Sequence, residues 1–377
     1  MPVCAIISFR LGQHDGVSVV AQHWQQILTD LGFETYTIAG EGRADILLPG
    51  LARYATEPPT SAELGQALNP SDFALVENIG TIPMNLPASL ELLKTLKGHP
   101  AIMHHHDPPW QREHWMHITD LPGDDPAWQH VVINDITQAQ IAARGFNATR
   151  IYNPFETNPE PGNRVACRSR LGVSDEELLV LHPVRAIRRK NVPAAVRITE
   201  KLDGVYWLAG PPEDGYGSTL EGILREAECR VVAPAGGGGA GGSVVGIGLA
   251  GDSGGATGGN GASENGLTNH HAISANDMYA APDLVVYPSW WEGFGNPPVE
   301  AAIHHLPAVV GDYPVAQELR QMGFKWFYPW EISDVANFLA SPDRELLDHN
   351  FALAEQHFSF PVIQAQVEGL LKKSGWL

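Results

Sequence analysis

No long apolar run occurs in this chain of 377 residues. Its uninterrupted stretches fall far short of the ~20 residues that a membrane-crossing helix needs. No basic segment followed by an apolar core opens it, and residues 3–9 read as a strand, so the expectation is a cytoplasmic protein. Cysteine is scarce: Cys4, Cys167 and Cys229 are odd in number and far apart, which speaks for free thiols in a reducing compartment and against a disulfide framework. Basic residues are few, 24 against 43 acidic ones, for a formal charge of −19. A chain this acidic is a poor binder of nucleic acid or of anionic membrane, and no Lys/Arg-rich amphipathic helix offsets that balance. Metal signatures are missing too: the sequence has no D-x-D, no H-x3-H and no H-E-x-x-H. Histidines cluster at 104–106, 270–271 and 304–305, but neighbours on a strand alternate faces and cannot all converge on one ion. No metal is expected.

What is present is a strand–helix alternation that runs, stops and restarts. The length alone suggests two domains. Residues 3–9 form a buried-type strand, and apolar spacing at Val20, Trp24, Ile27, Leu28 and Leu31 gives a helix that Gly32 stops. A second strand at 33–39 completes a β-loop-α-β unit, the opening of a parallel doubly wound sheet. Gly16 sits just before that helix; the plain reading is a connector glycine. Further strands at 73–76 and 101–103 deliver Glu77 and Asn78, then His104, His105, His106 and Asp107, at their carboxyl ends, where open α/β sheets gather ligands. Trp110, Gln111, Arg112 and His114 follow on a loop. Residues 151–155 read as the last strand of the first half, and the Pro-, Asn- and Gly-rich run 158–163 marks a boundary.

The second half restarts with a strand at 178–182 and the loop Arg185-Ala186-Ile187-Arg188-Arg189-Lys190-Asn191, a local positive pole before a helix start at Val192. Charge and helix dipole add there for an anion. Residues 236–266 hold 15 glycines, too little apolar surface to repay ordering, so a mobile insert is expected over 235–268. Its formal G-x-G-x-x-G at 246–251 is rejected as a dinucleotide site, because no helix can follow the third glycine. The focus of the chain is the stretch 288–301, PSWWEGFGNPPVEA, after the strand 284–287. A helix starts at Pro297, the backbone of Gly293, Gly295 and Asn296 lies at its open end, and Glu292 and Glu300 frame the turn. A phosphate seat between two carboxylates that can hold hydroxyls suits a nucleotide-sugar.

This stretch resembles the E-x7-E signature of retaining glycosyltransferases of the two-Rossmann-domain (GT-B) architecture, glycosyltransferase family 4 in particular, most closely over EGFGNPPVEA. The resemblance implies an α/β fold with two Rossmann-like doubly wound domains facing a central cleft: residues 1–157 on the acceptor side, 158–358 binding the donor, and a C-terminal helix, 359–377, crossing back onto the first domain. It implies that Glu292 holds donor-sugar hydroxyls and Glu300 the ribose, with Phe294, Gly295 and Asn296 around the phosphates and Gly16 approaching them from the first domain. Arg185 and Lys190 match the family's diphosphate-binding pair, with Arg188 and Arg189 facing outward or held in reserve. His106 with Asp107 best matches its His-Asp beside the sugar, although His104 or His105 could be the inward one. Asn78, Asp107, Trp110 and Arg112 are acceptor-side candidates.

The implied activity is hexose transfer, glucose or mannose, from a UDP-, GDP- or ADP-hexose to a soluble small-molecule or glycan acceptor. Configuration is retained, and no cofactor or metal is required. The alternatives are an NAD(P)-dependent oxidoreductase, which would need a glycine fingerprint that residues 10–16 do not supply, an inactive nucleotide-sugar binding protein, and a sugar phosphorylase.

Overall fold

The computed structural model describes residues 1–12, 15–234 and 273–377, together with the backbone of 245–247. Apart from that tripeptide, the expected insert and its rejected glycine pattern lie outside the described residues. The chain divides into two compact units, Met1–Thr157 with Glu355–Leu377, and Asn158–Ala354.

In the first unit seven parallel strands form one sheet: β1 (Val3–Leu11), β2 (Glu34–Gly42), β3 (Ile46–Leu47), β4 (Phe73–Glu77), β5 (Ala101–His105), β6 (Trp128–Val132) and β7 (Ala148–Arg150). Their order is β3-β2-β1-β4-β5-β6-β7. Cys4 to Ile7 of β1 and all of β4 and β5 are buried, the continuous apolar reading of strands covered on both faces. Helix α1 (Gly16–Asp30) buries Val20, Ala21, Trp24, Ile27 and Leu28. Asp15 caps it, accepting from the amides of Val17 and Ser18. Helices α2 (Ser61–Leu68), α3 (Leu86–Thr95) and α4 (Asp135–Ala142) complete the crossovers. The sheet reverses its winding direction between β1 and β4, and it is at such a switch that the carboxyl ends leave a crevice.

The second unit repeats the plan with β8 (Leu179–His182), β9 (Val205–Leu208), β10 (Arg230–Pro234), β11 (Val245–Ile247), β12 (Leu284–Tyr287) and β13 (Ala308–Val310), in the order β11-β10-β9-β8-β12-β13. Its helices are α5 (Arg164–Leu171), α6 (Val192–Lys201), α7 (Gly217–Glu226), α8 (Ala275–Ala280), α9 (Asn296–Ile303), α10 (Pro314–Met322) and α11 (Ile332–Ala340). Here the switch falls between β8 and β12. The loops leaving those two neighbours are the basic loop 185–191 and the stretch 288–295.

Helix α12 (Arg344–Phe358) carries the chain back to the first unit, where α13 (Phe360–Ser374) ends it. There the Phe360 ring meets His23 at 5.0 Å and Trp376 stacks on Phe73 at 5.3 Å. One sequence expectation is corrected. Residues 151–155 are not a strand: β7 ends at Arg150, and Phe155 makes only an isolated bridge to Ser359. The run is buried like a strand, yet its backbone meets the returning chain, the Phe155 amide donating to the Phe358 carbonyl at 2.8 Å. Helix α5 also escaped the sequence reading. No described helix is long and apolar enough to cross a membrane.

Candidate functional site

The second unit builds its polar centre on Glu292. This side chain follows β12, is 4% exposed, and receives two cations from the loop after β8. Lys190 Nζ lies 2.7 Å from one carboxylate oxygen and also donates to the Tyr287 hydroxyl at 2.8 Å. Arg189 Nη1 binds the other oxygen and the Trp291 carbonyl. A short 3-10 turn (Arg188–Lys190) closed by Asn191 at φ 55° turns both side chains the same way. Asn191 Nδ2 then donates to the Pro288 carbonyl at 3.1 Å, and the Trp290 amide to the Arg189 carbonyl at 3.0 Å, so the two loops are stitched together. Burial opposes ionisation of Glu292, but the charges of Arg189 and Lys190 outweigh it and hold the carboxyl at about 2. Burial brings Lys190 down to about 8 against the support of Glu292. His182, wholly buried at the end of β8, is lowered to about 3 by burial and then by the Lys190 charge.

Arg189 therefore faces the site, correcting the outward placement expected from spacing. Arg185 pairs with Glu213, at a half-buried position. Gly295 caps α9 at φ 99°, and a Cβ there would meet the Tyr313 hydroxyl oxygen at 2.2 Å. Asn296 is the first helical residue, and Phe294 beside it is buried. Pro297 and Pro298 carry no N–H, so the open end of this helix offers fewer donors than most. Glu300, one turn further, accepts from the Tyr279 hydroxyl. Burial raises its pKa, which this hydrogen bond only partly opposes.

The first unit has its own buried carboxylate, Glu77, at the end of β4. The three consecutive histidines at the end of β5 divide by face. His105 turns to Thr81 (2.6 Å) and His130 (2.8 Å). His104 and His106 both reach Glu77: His104 Nδ1 is 3.0 Å from each oxygen, and His106 Nε2 is 2.7 Å from one. Burial would raise the Glu77 pKa, and the two histidines bring it to about 2 instead; burial lowers His104. The ligand atoms of Glu77, His104 and His106 lie within 4.8 Å of one another, a set that could hold one ion. Ligating histidines usually donate their second nitrogen to a partner, and His104 Nε2 is buried without one.

Of the acceptor-side candidates, Asn78, Asp107 and Arg112 come together. Asn78 Oδ1 accepts from the amides of His106 and Asp107, both at 3.1 Å, and Arg112 pairs with the Asp107 carboxylate. Trp110 is turned away: its indole N–H donates to Gln140 at 2.7 Å, and Arg144 lies over its ring at 3.7 Å. Gly16 is the first residue of α1, and nothing lies within 4 Å of where its Cβ would be. The next two amides, however, already bind the Asp15 carboxylate.

Sequence reasoning missed Glu77, Arg189, Tyr279 and Tyr287 as members of these centres. Glu77 and Arg189 were visible as polar residues at strand ends; no local signal marked the two tyrosines.

No family model matches the sequence. Over 94% of its length the chain is 24% identical to a mannosylglucosylglycerate synthase of Thermotoga maritima, covering 96% of that protein. Among solved structures, HepE from Anabaena in complex with UDP and glucose matches at TM-score 0.66 and 16% identity over 99% of each chain. The sucrose-phosphate synthase of Thermosynechococcus elongatus matches at TM-score 0.67 and 14% identity, again over 99% of each. The fold, two parallel-sheet α/β units, is thus that of GT-B glycosyltransferases.

Proposed function

We propose that this chain is a glycosyltransferase that moves a hexose from a nucleotide-sugar to a soluble acceptor, with retention of configuration and without a metal ion. The observation that carries the reading is the Glu292 centre. A carboxylate at the switch point of the second sheet, held with Lys190 and Arg189, places an acceptor of sugar hydroxyls beside two cations suited to a diphosphate. In the proposed reaction the bond from C1 to the diphosphate oxygen breaks, and the acceptor oxygen bonds to C1 on the same face. The departing phosphate oxygen takes the acceptor's proton. Lys190 and Arg189, with Arg185 once it leaves Glu213, stabilise the charge that grows on the leaving group, usually the largest catalytic effect. Glu300 holds the ribose, and His106 supports a sugar hydroxyl. No carboxylate nucleophile is assigned, because Glu292 is better used on the sugar hydroxyls.

The name of the Thermotoga relative makes a mannosyl donor and a glucosylglycerate acceptor the first pair to try, and the UDP bound by HepE puts UDP-glucose beside it. The oxidoreductase alternative loses ground at α1, where Asp15 occupies amides that a pyrophosphate would need. The test is a thermal-shift panel of UDP, GDP, ADP and their glucose and mannose conjugates, with and without magnesium, followed by NMR of the product's anomeric centre. At ~100 times its dissociation constant a ligand stabilises by about 2.7 kcal/mol. A metal-independent shift with one base and a retained anomer supports the reading; stabilisation by NAD or NADP alone overturns it.

A further inference from the structure

Glu77 lies opposite His104 in the ladder between β4 and β5, and His106 stands two residues further along the same face. Glu77 itself is fully buried, so it cannot touch a substrate. Its oxygens are taken up by the two imidazoles. An ionised carboxylate only accepts hydrogen bonds. The proton on a neutral His106 ring must therefore sit on Nε2, which leaves Nδ1 as the acceptor. Among the described residues Nδ1 has no partner, yet it is not among the buried unpartnered atoms. The backbone beneath is pinned as well. Asn78, in the left-handed region at φ 62°, accepts from the amides of His106 and Asp107. Asn tolerates that conformation better than most residues. His104, packed against the Trp24 ring at 4.7 Å, fixes the carboxylate from the other side.

We propose that Glu77 is the positioning residue of His106: it fixes the Nε2–H tautomer, so that Nδ1 accepts a hydrogen bond from a free hydroxyl of the sugar substrate. This rests on the reading above that His106 serves the sugar. It adds that the substrate group at this position is a hydroxyl that donates.

The tautomer is read directly, without substrate, from long-range ¹H–¹⁵N correlations of histidine-labelled protein, with His106→Gln assigning the signal. The expected pattern is a pyrrole-type Nε2 and a pyridine-type Nδ1. A protonated Nδ1 in the wild type overturns the proposal, and so does stoichiometric zinc in the purified protein. Glu77→Gln offers an amide donor as well as an acceptor, so it no longer enforces the Nε2–H tautomer and a share of Nδ1–H should appear. It should lower kcat about tenfold or more with little change in the donor KM, and Glu77→Asp should restore part of it. In a His106→Gln background, Glu77→Gln should cost nothing further; an equal loss there would make Glu77 a structural residue and sink the proposal. Folding of each variant is checked by its melting temperature. Wild-type protein that shows the expected tautomer but transfers no sugar would overturn the assigned function while leaving the Glu77–His106 pairing in place.

Discussion

Each unit buries a carboxylate at the end of a strand beside the switch point of its sheet and lowers it to about 2, Glu77 in the first and Glu292 in the second, but by different partners. Glu77 meets two imidazoles, while Glu292 meets an ammonium and a guanidinium. The first pairing gives direction. A histidine held by a carboxylate has a defined tautomer and one free nitrogen. The second gives exchangeable charge, since cations paired with a carboxylate can be handed to another anion. The same fold element thus serves orientation in one unit and ion pairing in the other. What decides is the residue type on the neighbouring strand-end loop.

The comparison breaks most visibly at Lys190. Lys190→Ala should lower kcat/KM for transfer about 10²–10³-fold, the range seen for removing one stabilising donor from a transition state. It should also lower stability by about 1–3 kcal/mol, because Glu292 loses one buried donor but keeps Arg189. Steady-state kinetics and denaturant melts check both, and near-wild-type values would dismiss the Glu292 centre. His106→Ala should come next, with a loss of about 10²-fold in kcat and little loss of stability; unchanged turnover would leave the first unit's centre without a catalytic part.

The pH profile sharpens the contrast. Both carboxylates have folded pKa values below their ordinary 4.5, so their stabilising effect is complete above 4.5 and is lost as pH falls towards 2. Acid titration cannot separate them. The alkaline side can, because Lys190 loses its charge as pH rises through about 8. kcat/KM should fall there, and Lys190→Arg should move that limb upward. A limb that stays in place in the arginine variant would assign it to another group. The smallest effect concerns the turn that carries Glu292. Gly295→Ala forces a side chain into φ 99° and against Tyr313, and should cost about 1–3 kcal/mol by thermal melt.

The sequence made the second unit's centre largely legible, because its parts are local. Glu292, the glycine turn and the helix start lie within one stretch, and the cations lie in one loop. Arg189 was misplaced because a turn closed by Asn191 decides which of three consecutive cations faces inward. Glu77 was placed at its strand end but without its partners, which lie 27 and 29 residues away across a strand pairing. Tyr279 meets Glu300 only through tertiary packing. In the fold, continuous apolar strands were easy to read. Helix α5, RVACRSRL, reads as solvated, yet its Arg168 is buried and donates to the Ala281 carbonyl and the Asp283 carboxylate.

The pairing of Glu292 with its two cations also sets how an anion arrives. With that carboxylate in place, Arg189, Lys190 and Glu292 present about one net positive charge, Arg185 is neutralised by Glu213, and the exposed Arg188 adds about one more. Set in a chain of formal charge −19, so small a pole exerts little pull beyond a Debye length of about 8 Å at physiological salt. A dianionic ligand therefore gains little from long-range steering, and its association rate should depend only weakly on ionic strength. Selection happens after contact, when the ligand's own charge takes over the ammonium and guanidinium that Glu292 had been holding.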